Sequence, residues 1–303
     1  MLKKTDNKKK LLQDIFRSGS VHRIPCAYDG LSAKVAEKTG FKAVAFSGNA
    51  VSASLLGMPD IGVLGMSENI DHASRISQNL DIPLICDADT GYGGVMNVIR
   101  TIREFEHAGI AGIHIEDQVT PKRCGLLPQG IPVIDTSEQV MKLKAAVEAR
   151  SSKDFLIIAR TDSKSMHGLE VAAKRARAYI EAGADAALVM GANTPDELRY
   201  VASVVKAPLV CVIQEAPPTT DLSNELLNEV GCALALHAGT ARYAVVKALM
   251  DAYKALLVDG HTQSVREKMA TFDEYNNALD LNKWLEIENH FLASLDLKSQ
   301  SKS

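Results

Sequence analysis

Short, nearly continuous apolar runs recur along the 303-residue chain: IPCAY (24–28), KAVAF (42–46), IPLIC (82–86), AGIHI (111–115), FLIIA (155–159), AALVM (186–190), PLVCVI (208–213) and CALAL (232–236). A strand with one wet face alternates apolar and polar residues, whereas continuous runs mark strands covered on both faces and hence a parallel sheet. Between the runs lie segments of helical spacing, such as NVIRTIREFEHAG and EVAAKRARAYIEAG, each closing on glycine where a helix C-terminus favours a left-handed residue. Eight strand–helix units in one chain predict a closed (β/α)8 barrel of the TIM type. A doubly wound open sheet is the alternative. The pattern reads as a single domain over 1–303, with an N-terminal helix over 1–22, the barrel over 23–260 and a C-terminal helical extension over 261–303.

Composition narrows this little. The chain is 46% hydrophobic and 23% charged with a formal net charge of −3, so it carries no basic excess for nucleic acid. Lys8, Lys9 and Lys10 read as a solvated helix start. No apolar stretch approaches the ~20 residues that span a bilayer. The N-terminus lacks the apolar core of a signal peptide. A cytoplasmic protein with neither nucleic-acid nor membrane partner is expected. The five cysteines form no CxxC pair, which argues against a disulfide framework or a zinc site. Cys26, Cys86, Cys211 and Cys232 fall inside or beside apolar runs. Cys124 lies instead in TPKRCGLLPQG, directly after Lys122 and Arg123, two cations that would favour a thiolate.

In a barrel of this kind the chemistry gathers at the C-terminal ends of the strands. The residues there are Ser47, Gly48 and Asn49, then Asp87 and Asp89 of ICDADTGYGG (85–94), His114 and Glu116, and Arg160 and Asp162. Strand alternation points the members of each pair the same way. Taken singly, each has a bland reading: an Asp caps a helix, a His sits in the core, an Arg makes a surface ion pair. Independent caps do not produce Asp-x-Asp, His-x-Glu and Arg-x-Asp at three neighbouring strand ends. Carboxylates converging on one mouth suit a hard divalent cation.

Four stretches, FSGNAVSASLLGMPD, CDADTGYGG, IHIEDQVTPKRCG and IARTDS, resemble the isocitrate lyase / phosphoenolpyruvate mutase superfamily over about Ile24 to Arg242. KRCG after HIEDQ marks its carbon–carbon lyase branch, that of the 2-methylisocitrate and 2,3-dimethylmalate lyases. The resemblance implies that Asp87 contacts Mg²⁺ (or Mn²⁺), with Asp60, Asp89 and Glu116 holding its water shell. Ser47 and the amides of Gly48 and Asn49 would bind the 2-oxo-acid carboxylate with Arg160. Lys122 and Cys124 would ride a mobile loop, Cys124 donating a proton in a reaction served also by Glu116. Gly125, Leu126, Met190, Val212 and Gln214 would line the rest of the substrate site. The family also swaps C-terminal helices within dimers that form tetramers, which FDEYNNALDLNKWLEIENHFLASL accommodates.

Three positions depart from the isocitrate and methylisocitrate lyase pattern. Leu126 replaces the histidine after KRCG, Met190 a glutamate, and Val212 and Gln214 an Asn-x-Ser/Thr pair. The half of the site for the 2-oxo acid is intact and the far half is apolar. The expected reaction is therefore Mg²⁺-dependent retro-aldol cleavage of a branched 2-hydroxy-diacid, best matched by 2,3-dimethylmalate going to pyruvate and propionate. The alternatives are 2-methylisocitrate cleavage, oxaloacetate hydrolysis, carboxyphosphonoenolpyruvate or phosphonopyruvate mutase chemistry and, outside catalysis, an oligomeric binding scaffold.

Overall fold

A computed structural model describes residues 5–125, 130–215, 219 and 222–300. Its eight strands close into one parallel barrel in chain order. They are β1 (His22–Ala27), β2 (Val44–Phe46), β3 (Leu84–Asp87), β4 (Gly112–Glu116), β5 (Leu156–Thr161), β6 (Ala186–Val189), β7 (Leu209–Ile213) and β8 (Cys232–His237). Each lies on one of the apolar runs, with no end displaced by more than two residues. The helices are α1 (Thr5–Phe16), α2 (Gly30–Thr39), α3 (Gly48–Leu56), α4 (Met66–Gln78), α5 (Val95–His107), α6 (Thr136–Ala149), α7 (Lys164–Glu181), α8 (Pro195–Val205), α9 (Asn224–Glu229), α10 (Thr240–Asp259), α11 (Phe272–Ala278) and α12 (Leu281–Gln300).

The runs are continuous because both faces of the barrel wall are dry. Ile24, Cys26, Ala45, Ile85, Ile158, Leu188, Val210 and Leu236 pack together inside the barrel. Their chain neighbours Val44, Leu84, Cys86 and Ile157, with Ile113 and Ile115 on either side of His114, pack outward with the apolar faces of the helices. The inner cluster also takes Leu12 and Phe16 of α1. That helix does not begin as a solvated basic run: Lys8 and Lys9 are only 6% and 4% exposed. Lys8 Nζ donates to Ser77 O at 2.5 Å, and Lys9 Nζ meets Glu106 Oε1 at 3.1 Å. Buried polar partners, rather than water, satisfy these ammonium groups.

Two compact units divide the chain, residues 1–243 and 244–303. The first contains α1 and the barrel. The second contains most of α10, a 3₁₀ turn over Gln263–Lys268, α11 and α12. It displays large apolar side chains, among them Leu257 at 86%, Phe272 at 79% and Phe291 at 65% exposure. No helix among the described residues is long and apolar enough to cross a membrane.

Candidate active site

At the C-terminal ends of the strands the first unit encloses a pocket of about 630 Å³ that opens to solvent. One side is polar, with Ser47 and Asn49 after β2, Asp87 on β3, His114 on β4 and Arg160 on β5. The other is apolar, with Leu188 and Met190 at β6, Val212 on β7, Leu236 and Ala238 at β8, and Cys26 on β1. Ala45, Phe46, Asp60, Cys124, Gly125 and Arg242 complete the lining. Register explains the polar side: Asp87 pairs with His114 and, two residues further along the strands, Glu116 pairs with Arg160, so these inward residues occupy successive rungs at the C-terminal end of the barrel.

Two aspartates side by side at a strand end call for a cation, and Lys122 supplies one. Its Nζ lies 2.8 Å from Asp60 Oδ1 and 2.8 Å from Asp89 Oδ1. Asp89 does not reach this position by strand alternation. The strand ends at Asp87, and Asp89 adopts φ 48°, a left-handed turn that aspartate tolerates better than most residues. The turn also aims the Asp89 amide at Asp87 Oδ1, 3.1 Å away. Asp60 arrives from the segment after α3, where Gly62 has φ 78°. A Cβ at Gly62 would lie 2.8 and 2.9 Å from the Lys122 carbonyl and amide, so only glycine lets the two loops close this tightly. Gly48 is equally constrained, because a Cβ there would meet Asp87 Oδ2 at 2.7 Å.

The carboxylates are electrostatically unequal. Burial opposes ionisation of Asp87, but His114, Lys122 and Arg160, with the Asp89 amide, hold its pKa down at about 2. Burial pushes Asp89 up to about 6, with Asp87 and Asp60 adding to the rise against Lys122. Burial also raises Glu116 well above the usual carboxylate range despite Arg160. Arg160 Nη1 stands 3.0 Å from Glu116 Oε2, yet among the described residues neither Glu116 oxygen accepts a hydrogen bond. Burial lowers His114, which leaves a neutral imidazole near neutral pH.

No three His, Cys, Asp or Glu side chains among the described residues are grouped to ligate a metal directly. The donor set still fits Mg²⁺, which is held through one or two carboxylates and keeps several waters. Asp87, the most readily ionised of the cluster, faces the pocket, and the orphaned Glu116 oxygens have lone pairs for donors that the protein does not provide.

Arg160 is clamped from behind: its Nε and Nη2 donate to the two Asp162 oxygens, each at 2.8 Å. Facing it across the pocket mouth is the N-terminus of α3, where Ser47 makes no side-chain cap hydrogen bond and the first-turn amides have no intrahelical partner. Arg242, in the first turn of α10, escaped the sequence reading. It donates to Asn49 Oδ1, stacks 4.7 Å from the Tyr243 ring centre, and has a buried Nε with no partner among the described residues. Its only signal in the sequence is a position six residues beyond the last apolar run, at the barrel's catalytic end. Gln214 is not part of the pocket lining, and its backbone N–H and C=O are both engaged by the Thr219 hydroxyl. Leu126 lies outside the described residues.

The two cations beside Cys124 are committed elsewhere, Lys122 to Asp60 and Asp89, and Arg123 to the Ile61 carbonyl at 2.5 Å. Cys124 is nevertheless the one half-buried thiol, and its amide is tied to Asp60 O at 3.1 Å. Burial lifts the Cys26 thiol to about 12 and raises Cys86. A sulfur contact with Cys232, and burial, raise Cys211. Alkylation requires the thiolate and access to it. Brief iodoacetamide treatment followed by peptide mapping is expected to label Cys124 first, with protection by pyruvate and Mg²⁺. Even labelling of several cysteines would refute this.

A family model described as phosphoenolpyruvate phosphomutase matches residues 12–257. A 2,3-dimethylmalate lyase of Eubacterium barkeri is 38% identical over 267 residues, covering 88% of this chain and 92% of that protein. A 2-methylisocitrate lyase of Shewanella oneidensis is 41% identical over 240 residues, covering 79% and 82%. A solved phosphonopyruvate hydrolase in complex with oxalate and Mg²⁺ superposes with a TM-score of 0.84 at 30% identity, covering 94% of this chain and 99% of that one. A barrel closed in chain order, a carboxylate cluster at its mouth and similarity along most of its length place this chain in the phosphoenolpyruvate mutase / isocitrate lyase superfamily of lyases and mutases.

Proposed function

We propose that the protein is a Mg²⁺-dependent carbon–carbon lyase that cleaves a branched 2-hydroxy-diacid to pyruvate and a short carboxylic acid, its best substrate being 2,3-dimethylmalate. The observation that carries this reading is the split pocket: charged on the β2–β5 side, apolar on the β6–β1 side, with two guanidiniums in its lining, Arg160 on β5 and Arg242 in the first turn of α10. A 2-hydroxy-diacid has one carboxylate for each guanidinium, and its methyl groups suit Leu188, Met190, Val212 and Leu236.

In this reading Arg160, the Ser47 hydroxyl and the Gly48 and Asn49 amides orient the carboxylate next to the hydroxyl-bearing carbon. Arg242 receives the second carboxylate. Mg²⁺, held by Asp87 with Asp60, Asp89 and Glu116 around its waters, supplies positive charge that stabilises the developing oxyanion and polarises the new carbonyl. The C2–C3 bond breaks as the hydroxyl passes its proton to water at the pocket mouth, which later returns one to the Cys124 thiolate, and the hydroxyl oxygen becomes the ketone of pyruvate. The bond's electron pair passes to C3, which takes a proton from the Cys124 thiol and leaves a thiolate. Lys122, bridging Asp60 and Asp89, fastens the loop that brings the thiol in. The exposed apolar residues of the C-terminal unit support assembly into a homo-oligomer, in the family manner a tetramer of helix-swapped dimers. A cytoplasmic location accords with the absence of a membrane-crossing helix among the described residues.

The test is substrate choice. 2-Methylisocitrate carries a third carboxylate where 2,3-dimethylmalate has a methyl, and that group would meet Met190 and Val212 rather than a polar partner. An unpaired buried carboxylate costs several kcal/mol, and each 1.4 kcal/mol is about tenfold. 2,3-Dimethylmalate is expected to exceed 2-methylisocitrate in kcat/KM by at least about a hundredfold, read from pyruvate release. Leu126→His with Val212→Asn should narrow the gap. Equal cleavage of both by the unmodified protein would overturn the substrate assignment.

A further inference from the structure

Asp117 follows Glu116 in the chain but belongs to the opposite side of the barrel wall. Glu116 faces inward, its oxygens accepting no hydrogen bond among the described residues, whereas Asp117 is fully buried against α7 and holds four donors. Its Oδ2 accepts from Thr161 Oγ1 at 2.7 Å, Arg175 Nε at 2.9 Å and Tyr179 OH at 2.8 Å. Its Oδ1 accepts from the Asp162 amide at 3.0 Å. Three donors crowd Oδ2 and one holds Oδ1, and the fully buried carboxylate is not part of the pocket lining, so it meets neither solvent nor substrate.

These donors lead to two parts of the site, the backing of Arg160 and the stem of the loop that carries Cys124. Strand β5 ends at Thr161, so the next residue, Asp162, has no ladder to hold it, and its amide is pinned by Asp117 instead. The Asp162 carboxylate in turn fixes the plane of the Arg160 guanidinium through two parallel hydrogen bonds. On the other arm, Arg175 Nη2 donates to Ile134 O at 2.6 Å, while Ile134 N donates to Asp117 O at 2.9 Å. Ile134 follows the Gln118–Val133 bridge that closes the stem of the loop carrying Lys122 and Cys124. One buried carboxylate thus holds both the backing of the substrate-binding arginine and the base of the thiol-bearing loop.

We propose that Asp117 is a positioning residue for the reaction assigned above, acting through Asp162 on Arg160 and through Arg175 on the loop stem. It touches no substrate. Because Arg160 grips the same carboxylate throughout the reaction, loosening it removes binding common to ground and transition states and so raises KM more than it lowers kcat. Small misplacements of a positioned group are costly, an ångström being worth up to about a hundredfold.

The experiment measures oxalate binding by calorimetry in saturating Mg²⁺ on wild type, Asp117→Asn and Tyr179→Phe, with the melting temperature of each, and pyruvate release for KM and kcat. Asp117→Asn is expected to weaken oxalate about tenfold and raise KM in parallel, at a temperature where the variant remains folded. Tyr179→Phe keeps the charge and drops one donor, so it should give a smaller shift in the same direction. It carries the test if Asp117→Asn does not fold. A purely structural role would lower melting temperature with oxalate affinity unchanged, and that outcome in either folded variant overturns the proposal. Should wild type itself neither bind oxalate nor release pyruvate, the reaction reading fails instead, so the two failures are distinguishable.

Discussion

Asp87→Ala is expected to reduce kcat/KM by at least about a thousandfold, the rate equivalent of roughly 4 kcal/mol of transition-state stabilisation. Excess EDTA should do the same to the unmodified protein, with recovery on adding Mg²⁺ or Mn²⁺. The reason lies in the inequality of the carboxylates. Asp89 is pushed up to about 6 and Glu116 well above its usual range, so in the metal-free protein these two hold protons readily, while Asp87 stays ionised down to about 2. Asp87 is therefore the carboxylate ready to meet a cation without first losing a proton. A divalent ion at the cluster would displace the protons of Asp89 and Glu116 and so gain the negative charge that holds it. Calorimetric titration with Mn²⁺ separates loss of binding from collapse of the fold, since Asp87→Ala should retain the wild-type circular dichroism. Full turnover in excess EDTA would sink the assignment.

The second large effect is on the thiol. Cys124→Ser is expected to lower kcat by about 10²–10⁴, the range for a lost general acid, with oxalate affinity changed little. A serine hydroxyl fits the space, but it is a far weaker acid than a thiol and cannot protonate C3 at a comparable rate. Because the proton matters only once the C2–C3 bond is breaking, the loss belongs in kcat rather than in binding. The main-chain anchor of Cys124 on Asp60 and the bridge from Lys122 to Asp60 and Asp89 do not depend on the sulfur, so the loop should close normally in the variant. A Cys124→Ser enzyme that turns over at the wild-type rate would exclude the proton-donor role.

Much of this molecule was legible in its sequence because a barrel wall is dry on both sides. Each of the eight runs is apolar without a break for that reason, and β1 to β8 fall on them in order. The convergence of Asp87, His114, Glu116 and Arg160 follows from strand alternation and register, which are properties of short segments. What could not be read were pairings over long separations and departures from regular backbone. Lys122 meets Asp60 from 62 residues away, so the sequence points to a divalent cation at the aspartates and to Lys122 only as a loop residue, not to an ammonium bridging Asp60 and Asp89. Asp89 turns left-handed instead of alternating, and no local pattern announces that. Arg242 looked like an ordinary helix residue because its meaning comes from the mouth of the barrel, not from its helix. Lys8 and Lys9 read as solvated because the acceptors awaiting them, Ser77 and Glu106, lie far along the chain.

The ring order of the strands has an evolutionary corollary. Because β1 to β8 close in chain order, the two halves of the pocket are also two halves of the gene. The charged lining, Arg242 excepted, comes from residues 47 to 162, whereas most of the apolar lining comes from 188 to 238, joined by Cys26, Ala45 and Phe46. Buried charges are interdependent, so a substitution among the first set disturbs several partners at once. Apolar side chains at the second set are far more nearly independent and tolerate exchange at modest cost. Single substitutions at Leu188, Met190 or Val212 are therefore expected to shift substrate choice with the charged set undisturbed, so selectivity is the part of this site that can change one residue at a time.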